Sequence, residues 1–157
     1  VANLEVSKER QFCGSCHVMI PYTQDAANPA STSLASRHSQ NAWFGGESCY
    51  VCHADYGMFG AAATKIGGMH HVWDYYSKDW GPGSRKPALY KPYSNATCMR
   101  CHPMTGGQKP LAHQVHVKVI EAGQTSCASM GCHGPAHRVG GEEKAHGAQA
   151  VLPGAGR

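Results

Sequence analysis

Four cysteine pairs, each followed directly by a histidine, constrain this 157-residue chain more than any other feature of its sequence. The motifs read CGSCH, CYVCH, CMRCH and CASMGCH, and their cysteines are Cys13, Cys16, Cys49, Cys52, Cys98, Cys101, Cys127 and Cys132. A disulfide framework does not require histidines, and zinc sites built from paired cysteines do not place a histidine after every second cysteine. The pattern is typical of covalent c-type haem attachment. We therefore predict four covalently bound haems (iron), with proximal ligands His17, His53, His102 and His133.

The fourth motif is longer than the others, because four residues rather than two separate Cys127 from Cys132. In such a motif the second cysteine and the adjacent histidine must keep a fixed geometry, whereas the first cysteine only has to reach the other vinyl group. We therefore predict that the two extra residues bulge outward. Gly131 is expected to stand where the bulge rejoins, since glycine tolerates unusual backbone angles.

The chain has too few large apolar side chains to build an ordinary core. Leu, Ile, Val and Phe make up 21 of 157 residues, about 13%, which is below the roughly 20% at which disorder becomes the usual outcome. Four large apolar macrocycles would replace the missing side chains. We therefore predict a multihaem cytochrome c fold of mainly short α-helices and irregular loops wrapped around four haems, with little or no sheet.

Local patterns predict four helices. The first spans Leu4 to Gln11, and the second lies within 31–41 with Ser31 or Thr32 as its N-cap. The third spans 59–68 and ends at Gly67, and KPLAHQVHVKVIEAG (109–123) forms the fourth, with Pro110 in its first turn and Gly123 at its end. Alternating valines in this last segment leave a strand as the alternative.

We expect a single tetrahaem domain over residues 1–157. Haems 1 and 2 belong to residues 1–79 and haems 3 and 4 to residues 96–139. A Pro/Gly-rich linker, 80–95, joins the two halves, and a Gly/Ala-rich tail follows from 140 to 157.

Distal iron ligands are plentiful, because seven further histidines remain: His38, His70, His71, His113, His116, His137 and His146. Axial ligation decides what a haem does. His/His ligation gives a closed electron carrier, His/Met ligation raises the potential, and an open position admits a substrate.

Seven segments, taken in order along the chain, resemble the NapC/NirT tetrahaem cytochromes, which pass electrons from membrane quinols to periplasmic reductases. The segments are FCGSCHVM, SLASRHSQN, CYVCH, KIGGMHHV, CMRCH, HVKVIEAGQTSC and CHGPAH. The resemblance covers about residues 11 to 137. It implies that His38 ligates the fourth haem and His137 the second. It also implies that His116 ligates the third haem, with His113 one turn earlier as the alternative.

Two departures from that family alter the expected function. The family carries an N-terminal membrane helix, whereas only twelve residues precede Cys13, so we expect an anchorless relative. Family members bind the first haem through the methionine corresponding to Met19, opposite an aspartate whose position is taken here by His71. We therefore expect His17 and His71 to close haem 1, with His70 as the alternative, Met19 to pack rather than ligate, and the quinol site to be lost.

The charge and hydropathy of the chain indicate its location and exclude some partners. The apoprotein carries a formal +4, but each ferric haem with two propionates adds about −1, so the holoprotein is nearly neutral and no nucleic-acid partner is expected.

No run of about 18 apolar residues predicts a transmembrane segment. Because haem is joined to cysteines outside the cytoplasm, we expect an extracytoplasmic protein, either periplasmic or extracellular.

The favoured function is electron transfer along a chain of bis-His haems, without enzymatic activity and with redox proteins as partners. The alternative is a subunit of an extracellular conductive filament, a homopolymer with haem–haem contacts between subunits, in which His70, His113 or His146 could bind iron in the next subunit. A less favoured alternative is a quinol dehydrogenase or small multihaem reductase, for which Lys65, Asp74 and Lys78 are the candidate acid/base groups.

Overall fold

The computed structural model describes residues 5–81, 87, 94–104 and 110–139, and within them the chain forms helices and loops without a strand. Its α-helices are α1 (Arg10–Gly14), α2 (Ile20–Ala27), α3 (Leu34–Ser39), α4 (Ser48–His53), α5 (Gly60–Ser77), α6 (Asn95–Met99) and α7 (Leu111–Glu121). Short 3-10 helices span His17–Met19 and Gly45–Glu47. The predicted class of mainly short helices with loops is confirmed.

Side chains alone do not form a sizeable interior in the described residues. The buried hydrophobic residues there are Ala26, Ala54 and Ile120. Polar residues are buried beside them, including Ser33, Ser36 and Asn95. The scarcity of large apolar residues in the sequence therefore has a direct counterpart in the fold.

The short helices α1 to α4 pack against one another near the N-terminus, and α6 packs against α7. The predicted first helix, Leu4 to Gln11, starts outside the described residues and is interrupted within them: Glu5 and Val6 are helical, residues 7–9 form turns, and α1 begins at Arg10. Lys8 and Glu9 donate their N–H groups to residues three earlier, Glu5 and Val6, at 2.9 and 3.1 Å. These contacts form tight turns, and the helix that carries Cys13 starts only after them.

Helix α3 is tied at its N-terminus to the segment that follows the fourth motif. Ser33, rather than the predicted Ser31 or Thr32, is the N-cap, because its hydroxyl accepts the N–H of Ser36 at 3.1 Å. The next two N–H groups, of Leu34 and Ala35, donate to the carbonyls of residues 135 and 136 at 3.3 and 2.8 Å. The first N–H groups of a helix have no acceptor within the helix, and here two of them bind carbonyls of the segment that follows the fourth motif.

Helix α5 runs without interruption through Gly67 and Gly68, so the predicted end at Gly67 is wrong. A glycine ends a helix when it adopts a positive φ, and neither of these two glycines does so. The start of α5 does require glycine, because a Cβ at Gly60 would collide with the carbonyl of Asp55. The result is an 18-residue helix, the longest in the described residues.

Helix α7 confirms the predicted helix in 109–123 and excludes the strand alternative. Gly123 has φ +69°, the N–H of Gln124 donates to Val119 at 2.9 Å, and the N–H of Gly123 donates to Ile120 at 3.0 Å. This pair of bonds is a Schellman motif. Pro110 lies at the N-cap, immediately before the first turn.

Asn95 joins α6, the end of α7 and the fourth motif. Its buried amide donates to the carbonyls of Ile120 and Thr125 at 2.8 and 2.6 Å and accepts the N–H of Cys127 at 3.0 Å. A single side chain therefore sets the position of the third motif relative to the fourth.

Most of the predicted 80–95 linker and the whole predicted tail, 140–157, lie outside the described residues, and His146 lies there with them. Among the helices that the structure describes, none combines the length and the apolar character that crossing a membrane would require.

Candidate functional site

The four cysteine–histidine motifs lie next to one another in chain order. Consecutive motifs approach each other through their cysteines, in three pairs: Cys13 with Cys49, Cys52 with Cys101, and Cys98 with Cys127. None of the eight cysteines, all of which lie in the described residues, forms a disulfide. The thiol of Cys13 donates to Cys49, which raises the pKa of Cys13 and lowers that of Cys49 to about 7. Segments far apart in sequence therefore converge on one row of four motifs.

The second motif faces His137. The ring centroids of His53 and His137 are 6.3 Å apart. Burial, followed by the nearness of His137 and His71, lowers the pKa of His53 to about 4. His53 is surrounded by other chain segments, but the residue as a whole remains exposed to solvent. Its imidazole is therefore neutral at neutral pH, which is the form that binds metal.

The third motif faces His38, at a centroid distance of 6.1 Å between His38 and His102. The resemblance to NapC/NirT cytochromes implied that His38 ligates the fourth haem, whereas in the structure its ring contacts the attachment histidine of the third motif. The N-terminus of α3 is bound to the segment after the fourth motif, and His38 lies four residues further on, about 6 Å along the helix axis. That displacement brings His38 to the third motif.

The fourth motif faces His113, the predicted alternative to His116. The rings of His113 and His133 are 5.7 Å apart. His113 is half-buried on the side of α7 that also carries the buried Ile120, whereas His116 is exposed. The structure thus brings His113, and not His116, to an attachment histidine.

The first motif faces helix α5 through Tyr75. The Tyr75 hydroxyl lies 3.1 Å from Nδ1 of His17. His71 precedes Tyr75 by four residues and therefore shares its face of the helix, while His70 is turned toward the opposite side. Met19 is half-buried in the 3-10 helix that follows the motif. The helix geometry favours His71 over His70 as the distal partner of His17.

These ring separations are compatible with two imidazoles that would bind one iron between them. With metal–nitrogen bonds of ~2.0 Å and a ring nitrogen ~1.1 Å from its centroid, opposed imidazoles have centroids about 6.2 Å apart. The three observed distances are 5.7, 6.1 and 6.3 Å. Each pair offers two ligands, which leaves four equatorial positions for a macrocycle. Within the described ranges, no group of three or more His, Cys, Asp or Glu side chains is arranged to hold a bare ion.

Three of the imidazoles also have an acceptor beside Nδ1. His38 donates to the carbonyl of Leu34 at 2.7 Å, His17 faces the Tyr75 hydroxyl, and His137 lies 3.4 Å from a carboxylate oxygen of Asp25. Metal-bound histidines are usually oriented in this way, because the bond at one nitrogen leaves the other free for the metal. The residues present therefore fit haem ligation.

The longer fourth motif keeps the backbone contact found in the third. The N–H of His102 donates to the carbonyl of Cys98 at 2.9 Å, and the N–H of His133 donates to that of Cys127 at 3.2 Å. The two extra residues are therefore accommodated in a longer loop, in which Met130 and Gly131 are exposed. The positive φ falls at Gly134 (+82°), however, and not at Gly131.

An open cavity of about 270 Å³ lies beside the third motif. Its lining includes Trp43, Phe44, Val51 and Cys101, and Phe44 meets the ring of His38 edge-on at 5.5 Å. Arg100 stacks on Tyr56 at 4.0 Å on another part of the wall. A largely aromatic wall next to an attachment cysteine suits one edge of a flat apolar group.

Sequence reasoning missed Asp25, Tyr75 and Asn95, which support the motifs without belonging to them. No local pattern marks their roles, since the partners that tie them to the motifs or to the segment after the fourth motif lie from 25 to 113 residues away in the sequence. The three residues proposed as acid/base groups are already paired. Asp74 forms an ion pair with Lys78 at 2.7 Å, and Lys65 donates to Ser7.

Comparison of the chain with protein-family models, curated proteins and solved structures found no match. The resemblance to NapC/NirT cytochromes accordingly stays a prediction. The function has to be argued from the residues themselves.

Proposed function

We propose that this chain is an exported electron-transfer protein that carries four covalently attached c-type haems, each closed by two histidines. The observation that carries the proposal is the pairing of three attachment histidines with three other histidines at separations suited to one iron. When bound, haem supplies one-electron exchange at its iron. The residues of the chain position the imidazoles and bring the four motifs together.

The proposed ligand set follows the structure where the structure differs from the resemblance. Proximal and distal ligands pair as His17 with His71, His53 with His137, His102 with His38, and His133 with His113. Bis-histidine ligation leaves no open position for a substrate, and it favours outer-sphere electron transfer over catalysis. A NapC/NirT-like ancestry is part of the proposal, although this set departs from the ligands that the resemblance implies at the third and fourth motifs.

Contacts between consecutive motifs support a relay in chain order. The first and second motifs meet at Cys13 and Cys49, and the third and fourth meet at Cys98 and Cys127. Cys52 and Cys101 are close enough to interact electrostatically, which brings the middle two motifs near each other. Groups attached to these thiols would be close between consecutive motifs, which suits transfer from the first motif to the fourth or in the opposite direction.

The test uses holoprotein with its haems attached. We expect four c-type haems per chain by alkaline pyridine spectroscopy and a low-spin spectrum that carbon monoxide barely changes. His113→Ala should produce one high-spin haem that binds carbon monoxide, whereas the matched variant His116→Ala should keep the native spectrum. A chain without haem would overturn the proposal, and the reverse outcome for the two variants would restore the ligand implied by the resemblance.

A second candidate function, a subunit of a conductive filament, is favoured by the outer face of α5. We define this face as Phe59, at the N-cap of the helix, with Ile66, Met69, Trp73 and Tyr76. Every member is exposed, Trp73 by 72% and Tyr76 by 82%. The face lies opposite His71 and Tyr75 on the helix, and Tyr75 contacts His17 of the first motif.

A second copy of this chain is the proposed occupant of the outer face. Large side chains such as these bury about 150–250 Å² each, so five of them present roughly 800 Å², the area that one partner contributes to a stable interface. If the contact is not self-complementary it does not close, and it then gives fibres.

Electron microscopy and light scattering of the native holoprotein test this candidate. Filaments or concentration-dependent oligomers are expected, and Trp73→Ser combined with Met69→Ser should weaken them at least tenfold. Leu111→Ser, at an equally exposed position on α7, is the matched control and should leave association unchanged. Monodisperse single chains at millimolar concentration would contradict it.

A further inference from the structure

Asp25 is the carboxylate most enclosed among the described residues that adjoin a motif. It lies near the end of α2 and is only 8% exposed. Its Oδ1 accepts the hydroxyl of Ser31 at 2.5 Å, and its Oδ2 accepts the N–H of Arg138 at 3.2 Å. An ionised carboxylate is therefore held in a fixed orientation by two donors from different parts of the chain.

The same Oδ2 faces His137. It lies 3.4 Å from Nδ1, a buried atom, at an ion-pair distance that does not meet hydrogen-bond geometry. The ring of His137 is also held by an edge-on contact with Tyr22, at 5.3 Å and 85°. Since Nδ1 faces the carboxylate, Nε2 is the nitrogen left for a metal.

The backbone around His137 is anchored on both sides. Before it, the carbonyls of Pro135 and Ala136 accept the N–H groups that begin α3. After it, the N–H of Arg138 donates to Asp25 itself. The carboxylate therefore fixes both the side chain and the main chain of the residue that faces His53.

We infer that Asp25 is a positioning residue that orients His137 toward the iron at the second motif and lowers the reduction potential there. The inference rests on the proposed haem ligation. A carboxylate beside Nδ1 of a haem-ligating histidine would make the imidazole a stronger donor, and its negative charge would stabilise the more positive oxidised iron. Both effects favour the ferric state.

The acceptors at the neighbouring motifs are not charged. His38 donates to a backbone carbonyl, and His17 faces a phenol hydroxyl. Removing the charge of Asp25 should consequently affect one of the four haems far more than the other three. This selectivity separates an electrostatic role from a general loss of structure.

The experiment is a spectroelectrochemical titration of holoprotein, with low-spin electron paramagnetic resonance at each potential. In Asp25→Asn we expect one of the four potentials to rise, with the ratio of reduced to oxidised haem about tenfold higher at a fixed potential, or ~59 mV for one electron. The low-spin signal of that haem should shift, or become high-spin if His137 no longer binds. Asp79→Asn, which removes an exposed carboxylate, controls for net charge.

Asp25→Glu keeps the charge and carries the test if the asparagine variant does not accumulate. It should retain four low-spin haems. Its potential should shift by less than half of the shift expected for Asp25→Asn. Four unchanged potentials in Asp25→Asn, or a glutamate variant whose potential shifts by the full amount, would overturn the inference while leaving the proposed function intact. Wild-type protein without bound haem would overturn the proposed function instead.

Discussion

Single residues outside the motifs determine how each motif is held. The N–H of His133 reaches the carbonyl of Cys127 across a longer loop, and the backbone then turns sharply at Gly134, with φ +82°. Pro135, which is fully buried, follows immediately. This turn directs the chain from the fourth motif toward α2 and α3, where His137 is positioned.

Replacing Gly134 with alanine should destabilise the holoprotein, because a left-handed conformation costs a residue with a Cβ about 1–2 kcal/mol. No atom lies within 4 Å of a Cβ at this position, so the cost is one of backbone conformation. Gly131→Ala is the matched control, since Gly131 also has open space around it but no positive φ. Chemical denaturation measures both, and equal stabilities of the two variants would contradict the assigned turn.

Among the helices, α3 and α5 show how element ends and faces organise the molecule. The N-terminus of α3 joins a cap at Ser33 to two carbonyls from beyond the fourth motif. Helix α5 presents His71 and Tyr75 on one side and the apolar outer face on the other. Helix α3 therefore connects the two halves of the chain. Helix α5 carries His71 and Tyr75 on the side opposite its apolar outer face.

Ser33→Ala should lower the free energy of unfolding by about 1–2 kcal/mol, because it removes the N-cap and leaves a buried N–H of Ser36 unpaired. Thr32→Ala changes an exposed neighbour and should have little effect. The comparison is made by thermal and denaturant unfolding of the two holoproteins. A larger loss of unfolding free energy in Thr32→Ala than in Ser33→Ala would indicate that Thr32, as predicted from the local sequence, is the N-cap.

Taken as a whole, the molecule interleaves its two halves. His38, from the N-terminal half, faces the third motif, and His137, from the C-terminal half, faces the second. Residues 25 and 138 are joined directly by a hydrogen bond. Because each half completes sites in the other, neither half is expected to hold its haems alone.

The charge of the whole molecule should change on haem attachment. The sequence has an isoelectric point near 8.6, and four ferric haems with ionised propionates add about −4 to the formal charge. Isoelectric focusing of holoprotein should therefore give a value near neutrality. Focusing of the holoprotein at the apoprotein value would contradict the haem count or the propionate ionisation.

The sequence by itself determined the features that depend on local chemistry. The four motifs, the scarcity of apolar residues and the helix in 109–123 required no knowledge of distant contacts, because covalent attachment, composition and helix ends involve residues that are near one another. The mainly helical class and the small side-chain interior follow from the same local information. Gly67 shows the limit of such reasoning, since glycine can end a helix or continue it, and only the φ it adopts distinguishes the two.

The tertiary structure decided which histidine meets which motif. His38 lies 64 residues from His102 in the sequence and His137 lies 84 from His53, so spacing could not pair them. The pairing follows from the bonds that hold α3 on residues 135 and 136 and from the carboxylate of Asp25, which fixes the orientation of His137. Long-range hydrogen bonds of this kind leave no local pattern, because each partner is an ordinary serine, aspartate or backbone group until the fold brings them together.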